Sequence, residues 1–211
     1  MPAQDFIRRH TLVQHAALVP EIRLHLADEV TPLWLATEEA FGPQEPPFWG
    51  FAWPGSQALA RWLLDHPAEI GGNAVVDIGT GCGLAAIAAA KAGASSVIAN
   101  DVQPLALAAT ALNAAENGVD VGMYCGDWIG TELDAAVVLV GDLCYDQKIA
   151  IKLFPWLQAL ARTRRVILAE PGRAFAPRAG VRAFAHYTVP TLMDLESRAE
   201  REVVLLEVQA A

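Results

Sequence analysis

The feature that most constrains this chain is a glycine-rich turn between a strand and a helix, followed by an acid at the end of the next strand. The segment 75–101 reads VVDIGTGCGLAAIAAAKAGASSVIAND. Its apolar start predicts a buried strand, the glycines keep the turn free of side chains, and the alanine-rich stretch 84–91 predicts a helix that ends before Gly93. Strand, turn, helix, strand and acid in this order are typical of an α/β protein that binds a nucleoside at the turn.

The spacing of the glycines indicates which nucleoside. A dinucleotide turn reads G-x-G-x-x-G, whereas residues 77–83 read D-x-G-x-G-x-G and Leu84 stands where the third dinucleotide glycine would fall. Asp101 follows Gly83 by 18 residues, close to the distance expected for an acid that accepts hydrogen bonds from ribose hydroxyls. Asp77 is placed to receive a cationic or amine-bearing ligand. The pattern predicts S-adenosylmethionine, which carries an amino acid and a sulfonium but no phosphate.

Length and charge narrow the class of protein. The 211 residues predict one domain, 1–211, made of an N-terminal helical and aromatic extension (1–70) and a cofactor-binding core (71–211). A net charge of −9 argues against binding to nucleic acid or to an anionic membrane. The apolar stretches are broken before the roughly 20 residues that a membrane-spanning helix needs. We therefore expect a cytoplasmic protein, monomeric, with a protein or small molecule as its partner.

The cysteines and histidines predict no metal site. The three cysteines show no C-x-x-C spacing and the five histidines no H-E-x-x-H pattern. We expect Cys82, Cys125 and Cys144 to be free, buried thiols.

Strands alternate with helices along the core, which predicts parallel βαβ units in a doubly wound sheet. Residues 5–41 are expected to be helical, with Thr31-Pro32 at a helix start, and the proline-rich and aromatic segment 42–55 is expected to be irregular. Near the C-terminus, AFAHYTVPTL and EVVLLEVQ predict an antiparallel strand pair joined by DLESRAERE. The predicted strands are 75–79, 96–101, 121–125, 136–142 and 165–170, and the predicted helices are 56–65, 84–91, 105–116 and 149–161.

The candidate site residues follow the strands, because ligands of open α/β sheets bind at the carboxyl ends of the strands. Asp127 is placed to accept the adenine amine and Trp128 offers a flat face to the base, although a turn acid beside a packing aromatic is the alternative. Phe48, Trp49 and Phe51 are candidates to wall a channel for a lysine stem, and an aromatic plug under the N-terminal helices is the alternative, which does not exclude the first.

The loop Asp142-Leu143-Cys144-Tyr145 is the candidate catalytic loop. It lacks the Asn and Pro of the Asn-Pro-Pro-Tyr type of motif that base methyltransferases commonly show, which argues against a nucleic-acid base as substrate. An acid with a tyrosine suits a flexible primary amine: Asp142 can accept its N–H bonds and Tyr145 can pack on the methylene stem. A plain loop with an incidental tyrosine remains the alternative. Cys144 has no activating histidine near it in sequence and is expected to be structural.

Taken together, these motifs make the chain similar to the seven-β-strand protein lysine methyltransferases with an acid-x-x-aromatic motif. Within them the segment PFWGFAWPGSQALARWLLD most resembles the electron transfer flavoprotein β subunit lysine methyltransferases. The resemblance implies a Rossmann-like class I methyltransferase fold, a seven-stranded and mostly parallel sheet, S-adenosylmethionine as cofactor and a lysine of that flavoprotein subunit as substrate. The alternatives are a methyltransferase of a ribosomal protein or small molecule, and a non-catalytic cofactor-binding module. The predicted cofactor-binding residues are Trp53, Asp77, Gly79, Thr80, Gly81, Gly83, Asp101, Asp127 and Trp128, and the predicted substrate-binding residues are Asp142 and Tyr145.

Overall fold

A computed structural model of the chain describes residues 1–191 and 196–211. Its main sheet has seven strands in the order β5-β4-β3-β6-β7-β9-β8, and a separate two-stranded sheet is formed by β1 and β2. The strands are β1 Leu12–Ala16, β2 Val19–Leu26, β3 Ala74–Ile78, β4 Ser96–Asp101, β5 Gly122–Cys125, β6 Val137–Gly141, β7 Arg165–Glu170, β8 Val181–Pro190 and β9 Glu200–Val208. The helices used below are α1 Ala3–His10, α2 Val30–Phe41, α3 Pro54–Asp65, α4 Leu84–Lys91, α5 Pro104–Glu116 and α6 Gln147–Leu160.

The five strands β3 to β7 are parallel, and the chain reverses direction across the sheet at β3. From β3 the chain runs outward through β4 to the edge strand β5, then returns to place β6 on the other side of β3. The carboxyl ends of β3 and β6 are therefore neighbours at a topological switch point, where an open α/β sheet binds its ligand. Every residue of β6 is buried, as expected for a central parallel strand covered on both faces.

The C-terminal part confirms the predicted antiparallel pair. β9 lies antiparallel to β7, and β8 lies antiparallel to β9 from Val181↔Val208 to Pro190↔Glu200. Residues 192–195, which include part of the predicted DLESRAERE connection, lie outside the described residues. The predicted fold class, a mostly parallel seven-stranded sheet with an antiparallel end, is confirmed.

The N-terminal extension differs from the prediction of a helical segment over 5–41. Two helices, α1 and α2, flank an antiparallel hairpin in which Leu12 pairs with Leu26 and His15 with Arg23. Ile22, Leu24 and Leu26 point inward and are buried. The alternation of these apolar residues with Glu21, Arg23 and His25 is the strand signal. The helix α2 begins at Val30 and has no side-chain cap, so Thr31 is not its N-cap.

The hairpin is tied to the core through two asparagines of the α5 end. The fully buried Asn113 accepts the His25 backbone N–H (2.7 Å) and donates to the carbonyl of Cys82 (2.8 Å). Asn117 accepts the Arg23 backbone N–H (3.1 Å) and donates back to the Arg23 carbonyl. One side chain, Asn113, thus joins the hairpin to the glycine-rich turn.

Candidate active site

A cavity of about 410 Å³ opens at the carboxyl ends of β3, β4 and β6. This volume lies within the usual range for small-molecule sites, about 300–1,000 Å³. Nine of the eleven predicted site residues line it: Trp53, Gly79, Thr80, Gly81, Asp101, Asp127, Trp128, Asp142 and Tyr145.

The cofactor turn, residues 79–83, is built by backbone and small side chains. Gly79, Gly81 and Gly83 all have positive φ, which suits glycine. A Cβ on Gly83 would come within 2.6 Å of Thr110, so close packing on α5 requires a glycine there. A Cβ on Gly81 would meet no protein atom within 4 Å, and Gly81 lines the cavity. That open space beside the turn is available to a ligand.

Asp77 and Gly83 do not line the cavity. The Asp77 carboxylate lies beneath the turn, only 3% exposed, and accepts a hydrogen bond from the Thr80 hydroxyl (2.7 Å). Burial raises the pKa of Asp77 to about 7, partly offset by the Thr80 hydrogen bond. This position does not support the prediction that Asp77 receives a ligand amine; it braces the turn instead. Gly83 likewise packs against α5 rather than facing the ligand.

Asp101 connects β4 to the turn. One of its carboxylate oxygens accepts the Gly81 N–H (3.1 Å) and the other accepts the Gln103 N–H (3.0 Å). Burial raises the pKa of Asp101, and the backbone donors counter part of that rise. Each oxygen keeps a lone pair for another donor. The side chain is thus oriented toward the cavity before any ligand binds.

Asn100 fixes the end of β5 and the start of the following loop, because its amide donates to the carbonyls of Tyr124 and Gly126. Asp127 accepts the Ile129 N–H (2.9 Å), as an acid that stabilises a turn does. Asp127 also lines the cavity, so the structure is compatible with both interpretations of this residue. Trp128 stacks on Tyr124 with ring centroids 4.2 Å apart. The stack supports the indole ring from one side where it borders the cavity.

Aromatic residues of the segment 48–53 form a second wall. Trp53 donates from Nε1 to the Phe48 carbonyl (2.8 Å), and the Phe48 ring packs on Tyr145 with centroids 5.6 Å apart. Phe48, Trp49 and Phe51 line the cavity, and Trp49 and Phe51 are also buried in a core cluster with side chains of α1, α2 and α5, as the alternative of an aromatic plug describes. The buried Nε1 of Trp49 has no hydrogen-bond partner within the described part of the chain. Tyr145 is 45% exposed and stands at the cavity opening.

Asp142 is buried at the end of β6 in a left-handed conformation, with φ of 59°. One carboxylate oxygen accepts the Gly55 N–H at the start of α3 (2.5 Å). The other accepts the Arg173 guanidinium through Nε (3.1 Å) and Nη2 (2.5 Å). Burial raises the pKa of Asp142, while Arg173 and the Gly55 N–H lower it. The backbone places this carboxylate against α3 and the cavity.

Three charged residues around Asp142 were missed by sequence reasoning. Arg173 also donates to both carboxylate oxygens of Glu196 (2.6 and 3.2 Å), and Glu196 accepts from Arg201 (2.8 Å). We call these four residues the Asp142 cluster. Arg173 lines the cavity and lies 5.7 Å from the Trp53 ring centroid. The available signal was the position of Arg173 just after β7, at the same sheet edge as Asp142.

Two of the three cysteines are buried, as expected of structural thiols, and the third is not. Cys82 and Cys144 are buried, but Cys125 is exposed at the edge strand β5, contrary to expectation. Burial raises the pKa of Cys144 to about 12, so its thiol stays protonated. Over residues 1–191 and 196–211, no cluster of three or more His, Cys, Asp or Glu side chains is placed to hold a metal ion. No helix among the same residues is long and apolar enough to cross a membrane.

The sheet order and the cavity at its switch point are those of a class I methyltransferase. The solved ribosomal protein L11 methylase of Lactobacillus delbrueckii superposes with a TM-score of 0.55 at 24% identity, covering 76% of this chain and 81% of that one. Magnesium protoporphyrin IX methyltransferase of Synechocystis, solved with bound SAM, superposes with a TM-score of 0.54 at 20% identity, covering 74% and 78%.

Sequence comparison defines the family more closely. The electron transfer flavoprotein beta subunit lysine methyltransferase of Danio rerio is 38% identical over 196 residues, which cover 89% of this chain and 76% of that protein. The chain belongs to the electron transfer flavoprotein beta subunit lysine methyltransferase family. The family model of ribosomal protein L11 methyltransferase (PrmA) also matches, over residues 60–140. That match ends before Asp142 and Tyr145.

Proposed function

We propose that this protein transfers a methyl group from S-adenosylmethionine to a lysine side chain of the electron transfer flavoprotein β subunit. The observation that carries the proposal is that one cavity joins the cofactor turn to an aromatic-walled opening with a buried carboxylate, Asp142. Family membership supports the same reaction.

The cavity fits the cofactor. The turn leaves open space beside Gly81, Asp101 is oriented by two backbone donors, and the buried Trp49 N–H has no partner within the described residues. When bound, S-adenosylmethionine supplies an electrophilic methyl group on its sulfonium. Asp101 would accept hydrogen bonds from the ribose hydroxyls, and the wall around Asp127 and Trp128 would hold the adenine.

The other end of the cavity suits a lysine side chain. Phe48 and Tyr145 present apolar faces to a methylene stem, and the Asp142 oxygen that accepts the Gly55 N–H offers its remaining lone pair to the terminal amine. Burial raises the pKa of Tyr145, so its phenol stays neutral and acts through its ring and hydroxyl. Asp142 therefore orients the nitrogen, and the ammonium proton leaves to water before methyl transfer.

A labelling experiment tests this proposal. The protein is incubated with tritiated S-adenosylmethionine and purified electron transfer flavoprotein, and in parallel with a cell lysate fractionated by size. We expect label in the β subunit, and mass spectrometry should find it on lysine. A thermal shift with S-adenosylhomocysteine shows separately whether the cofactor binds. Cofactor binding without any labelled lysine would contradict the proposal, and label in a ribosomal protein or a small molecule would favour the alternatives.

A further inference from the structure

Arg173 holds a position that the proposed reaction does not by itself require. A carboxylate beside a lysine stabilises its ammonium form and raises its pKa. Methyl transfer needs the neutral amine, because its lone pair forms the new N–C bond as the S–C bond breaks and leaves its electron pair on sulfur. An unpaired Asp142 would therefore orient the substrate nitrogen while holding back its deprotonation.

The Asp142 cluster removes that conflict. Asp142, Arg173, Glu196 and Arg201 form an alternating line of carboxylates and guanidiniums in which the charges cancel. The side chains of Asp142, Arg173 and Glu196 are at most 15% exposed. Because solvent screening is weak there, the charge of Arg173 acts strongly on its neighbours.

Arg173 also faces the cavity itself. Its guanidinium lines the cavity wall beside Trp53, so an amine bound at Asp142 lies near a fixed positive charge as well as a carboxylate. A nearby like charge disfavours the ammonium form. Near Asp142 the other titratable groups are Glu170 and Cys144, and near Tyr145 they are Asp101, Asp146 and Glu45. Asp127 lines the same cavity at its cofactor end.

We propose that Arg173 is a positioning residue that balances the charge of Asp142, so that the carboxylate orients the substrate lysine without stabilising its ammonium. This inference rests on the proposed lysine methylation. Glu196 has the opposite effect. Because its carboxylate also pairs with the guanidinium of Arg173, Glu196 reduces the positive charge that Arg173 offers to Asp142.

Two substitutions with opposite expected effects test the inference. Single-turnover methylation rates are measured from pH 6 to pH 10 with saturating cofactor and protein substrate. The rate should rise with pH as the bound lysine loses its proton. In Arg173→Gln the midpoint of that rise should move up by about one pH unit or more, with rates at neutral pH falling about tenfold and recovering in alkali. In Glu196→Gln the midpoint should move down.

Arg173→Lys and Arg165→Gln are the matched controls. Arg173→Lys keeps the charge but loses the two-pronged contact, so it should slow the reaction with a smaller midpoint shift than Arg173→Gln. Arg165 is likewise paired with a carboxylate, Glu69 (2.7 Å), and lies 5.1 Å from the Trp62 ring centroid, but it does not line the cavity. Arg165→Gln should leave the profile unchanged.

The outcomes separate this inference from the proposed function. Suppose that the wild-type protein labels lysine and that Arg173→Gln and Glu196→Gln are slowed equally at every pH. Arg173 would then have only a structural role, and this inference would be overturned while the proposed function stands. If Arg173→Gln does not fold, as judged by circular dichroism, an unshifted midpoint in Glu196→Gln overturns it equally. Wild-type protein that binds cofactor but labels no lysine overturns the proposed function and this inference with it.

Discussion

The two ends of the cavity are built in different ways. The cofactor turn takes its shape from three glycines, a buried aspartate and backbone hydrogen bonds, nearly all within one stretch of the chain. The Asp142 cluster takes its shape from charged side chains of distant segments, held together by ion pairs and by the Gly55 N–H. The turn is thus specified locally, whereas the substrate end depends on the completed fold. The two ends should also fail separately when they are mutated.

Asp142→Asn should give the largest effect and should be confined to the substrate end. The amide offers one acceptor instead of two and breaks the charge balance with Arg173, so we expect methyl transfer to fall about 100- to 1,000-fold. Affinity for S-adenosylhomocysteine, measured by titration calorimetry, should change by less than about threefold. An equal loss of both would show that the two ends are not independent.

Asp101→Ala should weaken cofactor binding and leave methyl transfer at saturating cofactor nearly unchanged, the reverse of Asp142→Asn. Loss of charge-assisted hydrogen bonds to the ribose should weaken cofactor binding by about 100-fold, while kcat at saturating cofactor stays within about threefold. Asp127→Ala is the control, since Asp127 is more exposed than Asp101 and solvent competes for its hydrogen bonds. We expect a loss of affinity of about tenfold or less there. Equal losses in the two variants would contradict the role given to Asp101.

Two glycine substitutions in the turn should separate its effect on protein stability from its effect on cofactor binding. Gly83→Ala combines a positive φ with a clash against Thr110, whereas Gly81→Ala combines a positive φ with open space. Gly83→Ala should therefore destabilise the protein by about 2 kcal/mol more than Gly81→Ala does. Gly81→Ala should be the variant that loses cofactor affinity, because its methyl group enters the cavity. Urea unfolding and calorimetry measure the two effects, and a reversed order would refute this division.

Asp77→Asn should give the smallest of these effects, a change in the free energy of unfolding that depends on pH. Folding raises the pKa of Asp77 from an ordinary 3.8 to about 7, so the folded state loses stability as pH rises between these values. The amide cannot ionise, so the variant should gain at least about 1 kcal/mol over wild type at pH 8, or roughly 2–4 °C in Tm, and less at pH 5. Asp120→Asn, at an exposed position, serves as the control. A gain independent of pH would contradict a buried ionising carboxyl.

The sequence predicted the core well because its signals are local. The turn, the alanine-rich helix α4 and the strand β4 lie in one continuous segment, and their predicted bounds agree with the structure to within one residue. The hairpin β1–β2 was missed because its connection, Ala17-Leu18, contains no Gly, Asn or Pro to indicate a turn. Its backbone partners, moreover, are the side chains of Asn113 and Asn117, which are 88 and 94 residues away in the sequence.

The site residues that the sequence did not predict also belong to segments far apart in the chain. Asp142 and Tyr145 were predicted because they directly follow a strand. Arg173, which follows β7, contacts Asp142, and Glu196, which precedes β9, contacts Arg173. No spacing rule connects residues so far apart in the sequence. Asp77 lies beneath the turn rather than in the cavity, and a motif shows which residues adjoin a turn but not which side of it each carboxylate faces. The site roles themselves stay predictions until they are tested by substitution.

The Asn113 link also orders events during synthesis on the ribosome. Asn113 follows His25, whose backbone it binds, by 88 residues. At typical synthesis rates of about 5–20 residues per second, His25 is made roughly 4–18 s before Asn113 is made. Until then the hairpin lacks its Asn113 partner, so this contact forms only after α5 has been made. Nascent chains that stall before Asn113 would expose an apolar hairpin, and a chaperone that binds such surfaces would find its target there.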